Sequence, residues 1–150
     1  TNKDMSIEAI QQEIIEEFSL LEDWMDRYSL LIEIGNSLPG LDPSQKTDTN
    51  LIDGCQSKVW FTAELSTSPS GESIIIYKGD SDAILVKGIV ALLIRVLSGH
   101  TPEEILEANL HFIDDIHLRE HLSPTRSNGL ASMLKQMLLY ALTLKQVKKP

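Results

Sequence analysis

Val59-Trp60-Phe61-Thr62-Ala63-Glu64-Leu65-Ser66 alternates apolar and polar side chains, and Ile74-Ile75-Ile76-Tyr77 follows after the turn residues Ser68-Pro69-Ser70-Gly71. A period of two marks a strand with one buried face, and a Pro/Gly/Ser cluster between two such runs marks a hairpin. Outward from this hairpin the period changes. Ile7, Ile10, Ile14, Phe18 and Leu21 recur every three or four residues, as on an amphipathic helix with Ser6 as its N-cap. Trp24, Tyr28, Leu31 and Ile32 give a second helical pattern, expected to give way near Gly35 and to end at Leu38-Pro39-Gly40.

Residues 40–50 are polar and turn-rich, and read as a surface loop leading to a single cysteine, Cys55. Residues 82–98 are apolar almost all round, which predicts a central helix packed on several sides, with Gly99 as its stop. Thr101-Pro102-Glu103-Glu104 is a capping box with Pro at the first helical position, opening a helix to about Ala108. A short helix is expected around Ile113–His117. Leu130, Met133, Leu134, Met137, Leu138, Ala141 and Leu144 form one apolar stripe on a last helix, with the methionines as core filler. The basic end, Lys145 to Lys149, suits the negative pole of that helix. The expected architecture is a single α+β domain over 1–150. It holds a small antiparallel sheet of about three strands, the third a short one around Asn50–Asp53, covered by helices.

The chain has 150 residues, enough to bury a core without disulfides or metal. Its formal charge is −9, and residues 1–53 hold twelve acids against three bases, whereas the remainder is neutral. That balance argues against a nucleic-acid partner, which would need net positive surface to displace counterions. It leaves a solvated acidic face or a basic partner as readings. The longest apolar run, Ile89 to Ile94, is far short of a membrane span, and Thr1-Asn2-Lys3-Asp4 has no signal pattern, so a cytoplasmic protein is expected.

Phosphate-cradle, His-Glu-x-x-His and nucleophile-elbow motifs are absent. His117 and His121 are four apart, a possible two-ligand pair with Asp114, but two His near a turn are more often surface polarity, and no metal site is expected. One cysteine cannot form an internal disulfide or supply a structural zinc or iron–sulfur site. Cys55 is left as a small buried hydrophobe, a nucleophile or carrier, or an intermolecular bridge. Gly54 before it permits a sharp corner at the end of the loop.

The string Gly54-Cys55-Gln56-Ser57-Lys58-Val59-Trp60 resembles the active-site segment of SufE-type sulfur acceptors, the partners of cysteine desulfurases. Gly79-Asp80-Ser81-Asp82-Ala83 with Ile84-Leu85-Val86-Lys87-Gly88, and His121-Leu122-Ser123-Pro124-Thr125-Arg126-Ser127-Asn128-Gly129-Leu130, resemble further motifs of that family in the same order. Weaker similarity lies in Ile32-Glu33-Ile34-Gly35 and Leu38-Pro39. The resemblance runs from about residue 8 to the last helix, and departs at Lys58, where the family often has Gln.

The resemblance implies a fold similar to the iron–sulfur scaffold proteins. It implies that Cys55 accepts sulfur as a persulfide from a desulfurase, stimulating it, and passes the sulfur to a cluster-assembly complex. Pyridoxal phosphate then belongs to the partner and this chain holds no cofactor. On that reading Gln56 and Ser57 bond the loop or the incoming sulfur, and Lys58 adds positive charge beside the thiol. Asp82 tethers the loop or caps the central helix. Arg126 contacts the partner or pairs with a carboxylate, and His121 is a proton donor or acceptor near the site or is merely packed. Two other readings stand beside it. One is a docking adaptor that activates a desulfurase with Cys55 only structural; the other is a cluster scaffold, suggested by fold alone.

Overall fold

The computed structural model of the protein describes residues 5–55 and 57–147. Gln56, Thr1-Asn2-Lys3-Asp4 and the basic residues Lys148 and Lys149 lie outside the described residues. The elements run α1 (Ile7–Ser19), α2 (Trp24–Asn36), β1 (Val59–Thr67), β2 (Ser73–Ser81), α3 (Ile84–Leu97), α4 (Pro102–Glu107), α5 (Phe112–Asp115) and α6 (Pro124–Lys145).

β1 and β2 form the expected antiparallel hairpin, with Phe61 opposite Gly79, Ala63 opposite Tyr77 and Leu65 opposite Ile75. Val59, Phe61, Ile75 and Tyr77 are buried on its inner face. That face is covered by α3 and α6. A Cβ on Gly79 would lie 2.9 Å from Val90 of α3, the Tyr77 hydroxyl donates to the Met137 carbonyl at 2.6 Å, and the Tyr140 hydroxyl donates to the Phe61 carbonyl at 3.3 Å. Met133 and Met137 are buried, as core filler should be.

The sheet has two strands among the described residues, not about three. Asp48–Asn50 coils into a 3₁₀ turn and Asp53-Gly54 turns the chain, so only Leu51 and Ile52 are left extended. They meet β1 through a single bridge, Leu51 to Trp60, and the Ile52 amide donates to Val59 at 2.8 Å. On the other edge, Gly99-His100 bridges Ile75. Each exposed edge is thus covered by a short segment in place of a third strand.

α2 gives way as expected, ending at Asn36 one residue after Gly35, and Gly35 lies where α2 crosses α3 at Gly88. A Cβ on Gly88 would sit 2.2 Å from the Leu31 carbonyl oxygen, and one on Gly35 would sit 2.7 Å from the Gly88 amide. Two backbones in contact leave no room for any side chain, so glycine is required here by space. Elsewhere the boundaries fall close to expectation. Thr101 and Glu104 complete the capping box, and the short helix lies at Phe112–Asp115. α6 starts at Pro124, capped by Ser123, well before its apolar stripe.

Asp80, on β2, is buried and holds the long loop down. Its carboxylate accepts from the amides of Leu41 (3.1 Å) and Ser81 (2.8 Å), and pairs with Lys46 (3.1 Å) and with Lys87 of α3 (3.4 Å). Lys46 also lies 5.4 Å from the Trp60 ring centroid, so Trp60 walls the same loop. Burial pushes the Asp80 carboxyl up, but the hydrogen bonds from Leu41, Lys46 and Ser81 and the charge of Lys87 outweigh it and hold it below the usual carboxylate range.

Two stability outcomes follow. Gly88→Ala should cost about 3 kcal/mol and lower the melting temperature by roughly 10 °C in calorimetry, because the methyl meets backbone that cannot move aside. A carboxyl whose folded value is depressed stabilises the fold above its unfolded value, near ~3.9, and loses that stabilisation as pH falls through the folded value. Asp80→Asn should therefore cost about 2 kcal/mol at neutral pH and flatten the fall of stability below about pH 4, read from denaturant midpoints.

Candidate functional site

Asp53, Gly54, Cys55 and Ser57 lie between two fixed flanks. On one side Ile52 pairs with Val59. On the other, the Lys58 amide donates to the Asp82 carboxylate at 3.0 Å, while the Lys58 carbonyl accepts from the Ser81 hydroxyl (2.9 Å) and the Asp82 amide (3.2 Å). Of the two roles open to Asp82, the structure has the tether. The residue before α3 is Ala83, and no side chain caps the helix. Between the anchors, Gly54 takes φ +86°, the left-handed region closed to most side chains, which turns Cys55 toward α6.

Cys55 rests on a seat cut into α6. The space a side chain at Gly129 would fill is the space against Cys55: a Cβ there would be 3.4 Å from Sγ and 3.6 Å from the Cys55 Cα. The thiol lies 3.6 Å from the Gly129 carbonyl, a weak S–H donor contact. Ser132, one turn on, packs under Gly54, its Oγ 2.7 Å from where a Cβ would stand. The thiol is half-buried and opens on a cleft of only about 10 Å³, lined by Ser57, Val86, Ile89, Arg126 and Met133. That is room for about one water.

These mostly apolar walls decide the ionisation. Burial pushes the Cys55 thiol up from its ordinary value. A free thiol near pKa ~8.5 is already only a few per cent thiolate at pH 7, and burial lowers that fraction. The seated thiol is thus protonated and shielded from oxidants. No described group of three His, Cys, Asp or Glu residues is placed to hold a metal ion.

The other residues singled out in the sequence divide into two sets. Ser57 and Arg126 line the thiol cleft, and Arg126 has no carboxylate partner among the described residues. Lys58 joins the tether through its backbone, with its side chain exposed. Gln56 lies outside the described residues. His121 is not among the residues lining the thiol cleft: its ring stacks on Trp24 of α2, centroids 3.6 Å apart, and its carbonyl accepts from the Tyr28 hydroxyl at 3.1 Å. No described contact joins the His121 ring to Cys55. His117, at φ +60°, sits at a break in the helix and pairs with Glu120. The seat itself went unrecognised in the sequence. Its signal was Gly129 directly before the apolar stripe that opens at Leu130, a glycine that helix formation alone would not select.

Comparison with known proteins agrees with this geometry. Residues 12–141 match the family model described as "SufE: Fe-S metabolism associated domain". An uncharacterized SufE-like protein of Rhizobium meliloti is 36% identical over 126 residues, covering 83% of this chain and 89% of the relative. Another, of Rhizobium etli, is 40% identical over 130 residues, covering 86% of this chain and 87% of the relative. The solution structure of a hypothetical protein from Thermus thermophilus superposes with a TM-score of 0.73 at 21% identity, covering 92% of this chain and 97% of that one, and so shares the fold. No described helix is long and apolar enough to cross a membrane. With a family model spanning most of its length and relatives of this identity, the chain belongs to the SufE family, whose domain is associated with iron–sulfur metabolism.

Proposed function

We propose that the protein is a sulfur acceptor: Cys55 takes the outer sulfur of a persulfide carried by a cysteine desulfurase, stimulates that enzyme by clearing its product, and hands the sulfur on for iron–sulfur cluster assembly. The observation that carries this reading is the placement of Cys55. A lone thiol sits on a positive-φ corner, clamped at both flanks and seated shallowly on a glycine, half-buried rather than locked in the core.

The step is an exchange at sulfur. The Cys55 thiolate attacks the outer sulfur of the donor R–S–SH, the donor's S–S bond breaks, and the donor leaves as R–S⁻ while Cys55 becomes Cys55–S–SH. One S–S bond forms as one breaks, with no net oxidation. Attack requires the thiolate, which the seated position disfavours. The loop must therefore lift from Gly129 when the donor docks, carrying the thiol out of its apolar walls. Ile52 and Lys58 are fixed on either side of Cys55, so the hairpin need not open for that motion. Arg126, which lines the cleft and has no carboxylate partner among the described residues, meets a donor carboxylate or the developing negative charge.

Incubation with desulfurase and cysteine should add about 32 Da, one sulfur atom, to Cys55 by intact mass. Cys55→Ser should gain nothing and lose all stimulation of desulfurase turnover; a stimulated desulfurase with that variant would favour the adaptor reading. Alkylation should report the seat. The iodoacetamide rate of the free protein should rise with pH to a midpoint above the ordinary cysteine value. Gly129→Val, whose branches reach into the thiol's space, should speed alkylation roughly tenfold at neutral pH.

A further inference from the structure

α6 presents two faces. Its inward stripe is spent on the core, but Ala131, Lys135, Leu139 and Leu142, spaced four, four and three apart, form an outward stripe. Leu139 and Leu142 are 45% and 49% exposed, large apolar surface that the fold itself leaves uncovered. Two grooves flank this ridge. One, of about 460 Å³, is closed on its far side by Leu106 and Arg119. The other, of about 370 Å³, is closed by Leu51, Ile52, Asp53 and Gly54. Lys135 and Leu139 line both, so the surface runs without a break from the arm of the reactive loop along α6.

The charge of this face is opposite to that of the chain. α6 holds no Asp or Glu and carries Arg126, Lys135 and Lys145, whereas residues 1–53 hold twelve acids. Lys135 has no ion pair among the described residues. Asp53 is the one acid among the residues lining the two grooves, and Arg119 of the other groove pairs with Asp114 at 3.5 Å.

We propose that the outer face of α6, from Ala131 to Leu142, is a docking groove for an acidic amphipathic helix of the sulfur donor. The inference rests on the sulfur-acceptor reading above. Ala131 to Leu142 spans about 17 Å, three turns of a partner helix. Apolar side chains of that helix cover Leu139 and Leu142, and its carboxylates face Lys135. A second copy of this chain is the weaker occupant, since three of the four acids of α1 are engaged within the molecule: Glu13 and Glu17 with Arg95, and Glu8 with His111. Continuity with the loop arm favours the donor, because whatever seats there lies beside Gly54 and the Ser132 that packs under it.

The test uses the whole chain, its cognate cysteine desulfurase and cysteine. The double substitution Lys135→Glu with Leu139→Ser changes exposed side chains, so its melting temperature should match wild type. The concentration that half-saturates sulfur transfer to Cys55 should rise about tenfold, with the full mass gain kept at saturation. Leu20→Ser, a solvent-exposed change at the end of α1, should leave that concentration unchanged. Calorimetric binding of the Cys55→Ser chain to the desulfurase, with and without the groove substitutions, reads docking where no sulfur moves. Wild-type Cys55 gaining no sulfur would sink the acceptor reading, and a tenfold loss in calorimetry would still support the groove. Unchanged half-saturation and unchanged binding in the double variant would overturn the groove alone. So would a wild-type dimer that the double variant dissolves in sedimentation, since the face would then belong to a second copy.

Discussion

Everything distinctive about Cys55 depends on the clamp around residues 53–57. A strand pairing at Ile52 and Val59 holds one flank, and the Asp82 carboxylate with the Ser81 hydroxyl holds the Lys58 peptide on the other. With both ends fixed, the corner at Gly54 delivers the thiol to one place on α6. Without them the loop would have no defined seat, and a cysteine on a free loop would meet oxidants as readily as a sulfur donor. The tether comes from the end of β2, so the hairpin that organises the fold also positions the thiol.

Two groups in this region show how burial and partners compete. Asp80 is a charge removed from water, yet it stays ionised because two amides and two lysines satisfy it. Cys55 is less buried, but nothing offsets the apolar walls around it, so the neutral thiol is favoured. Both follow from one rule, that burial favours the neutral form unless compensated, with compensation present in one case and absent in the other. For a carrier the uncompensated state is useful. On the acceptor reading proposed above, the resting thiol stays quiet until the loop leaves its walls.

The elements were legible because the side-chain periods are strong. The alternation from Val59 to Leu65, the 3–4 spacing of α1 and the capping box at Thr101 each mark local structure that tertiary contacts then confirm. The third strand was overread because Leu51-Ile52 has strand chemistry in a segment too short to pair along its length. α2 gives way near Gly35 as its pattern implied, but the close crossing with α3 that requires glycine there joins segments far apart in the chain and was not legible. Leu139 and Leu142 sit off the inward stripe, but only the packed structure shows how much of them is left exposed.

By itself, then, the sequence determined the hairpin, the helices, the solitary thiol and the glycine corner, because these are set by neighbours within a few residues along the chain. Only the tertiary structure decided that Gly129 is the seat of Cys55, that Asp82 ties the loop rather than capping α3, and that His121 belongs to Trp24. Those contacts join residues far apart in the chain, and their partners are chosen by which surfaces the packed core brings face to face.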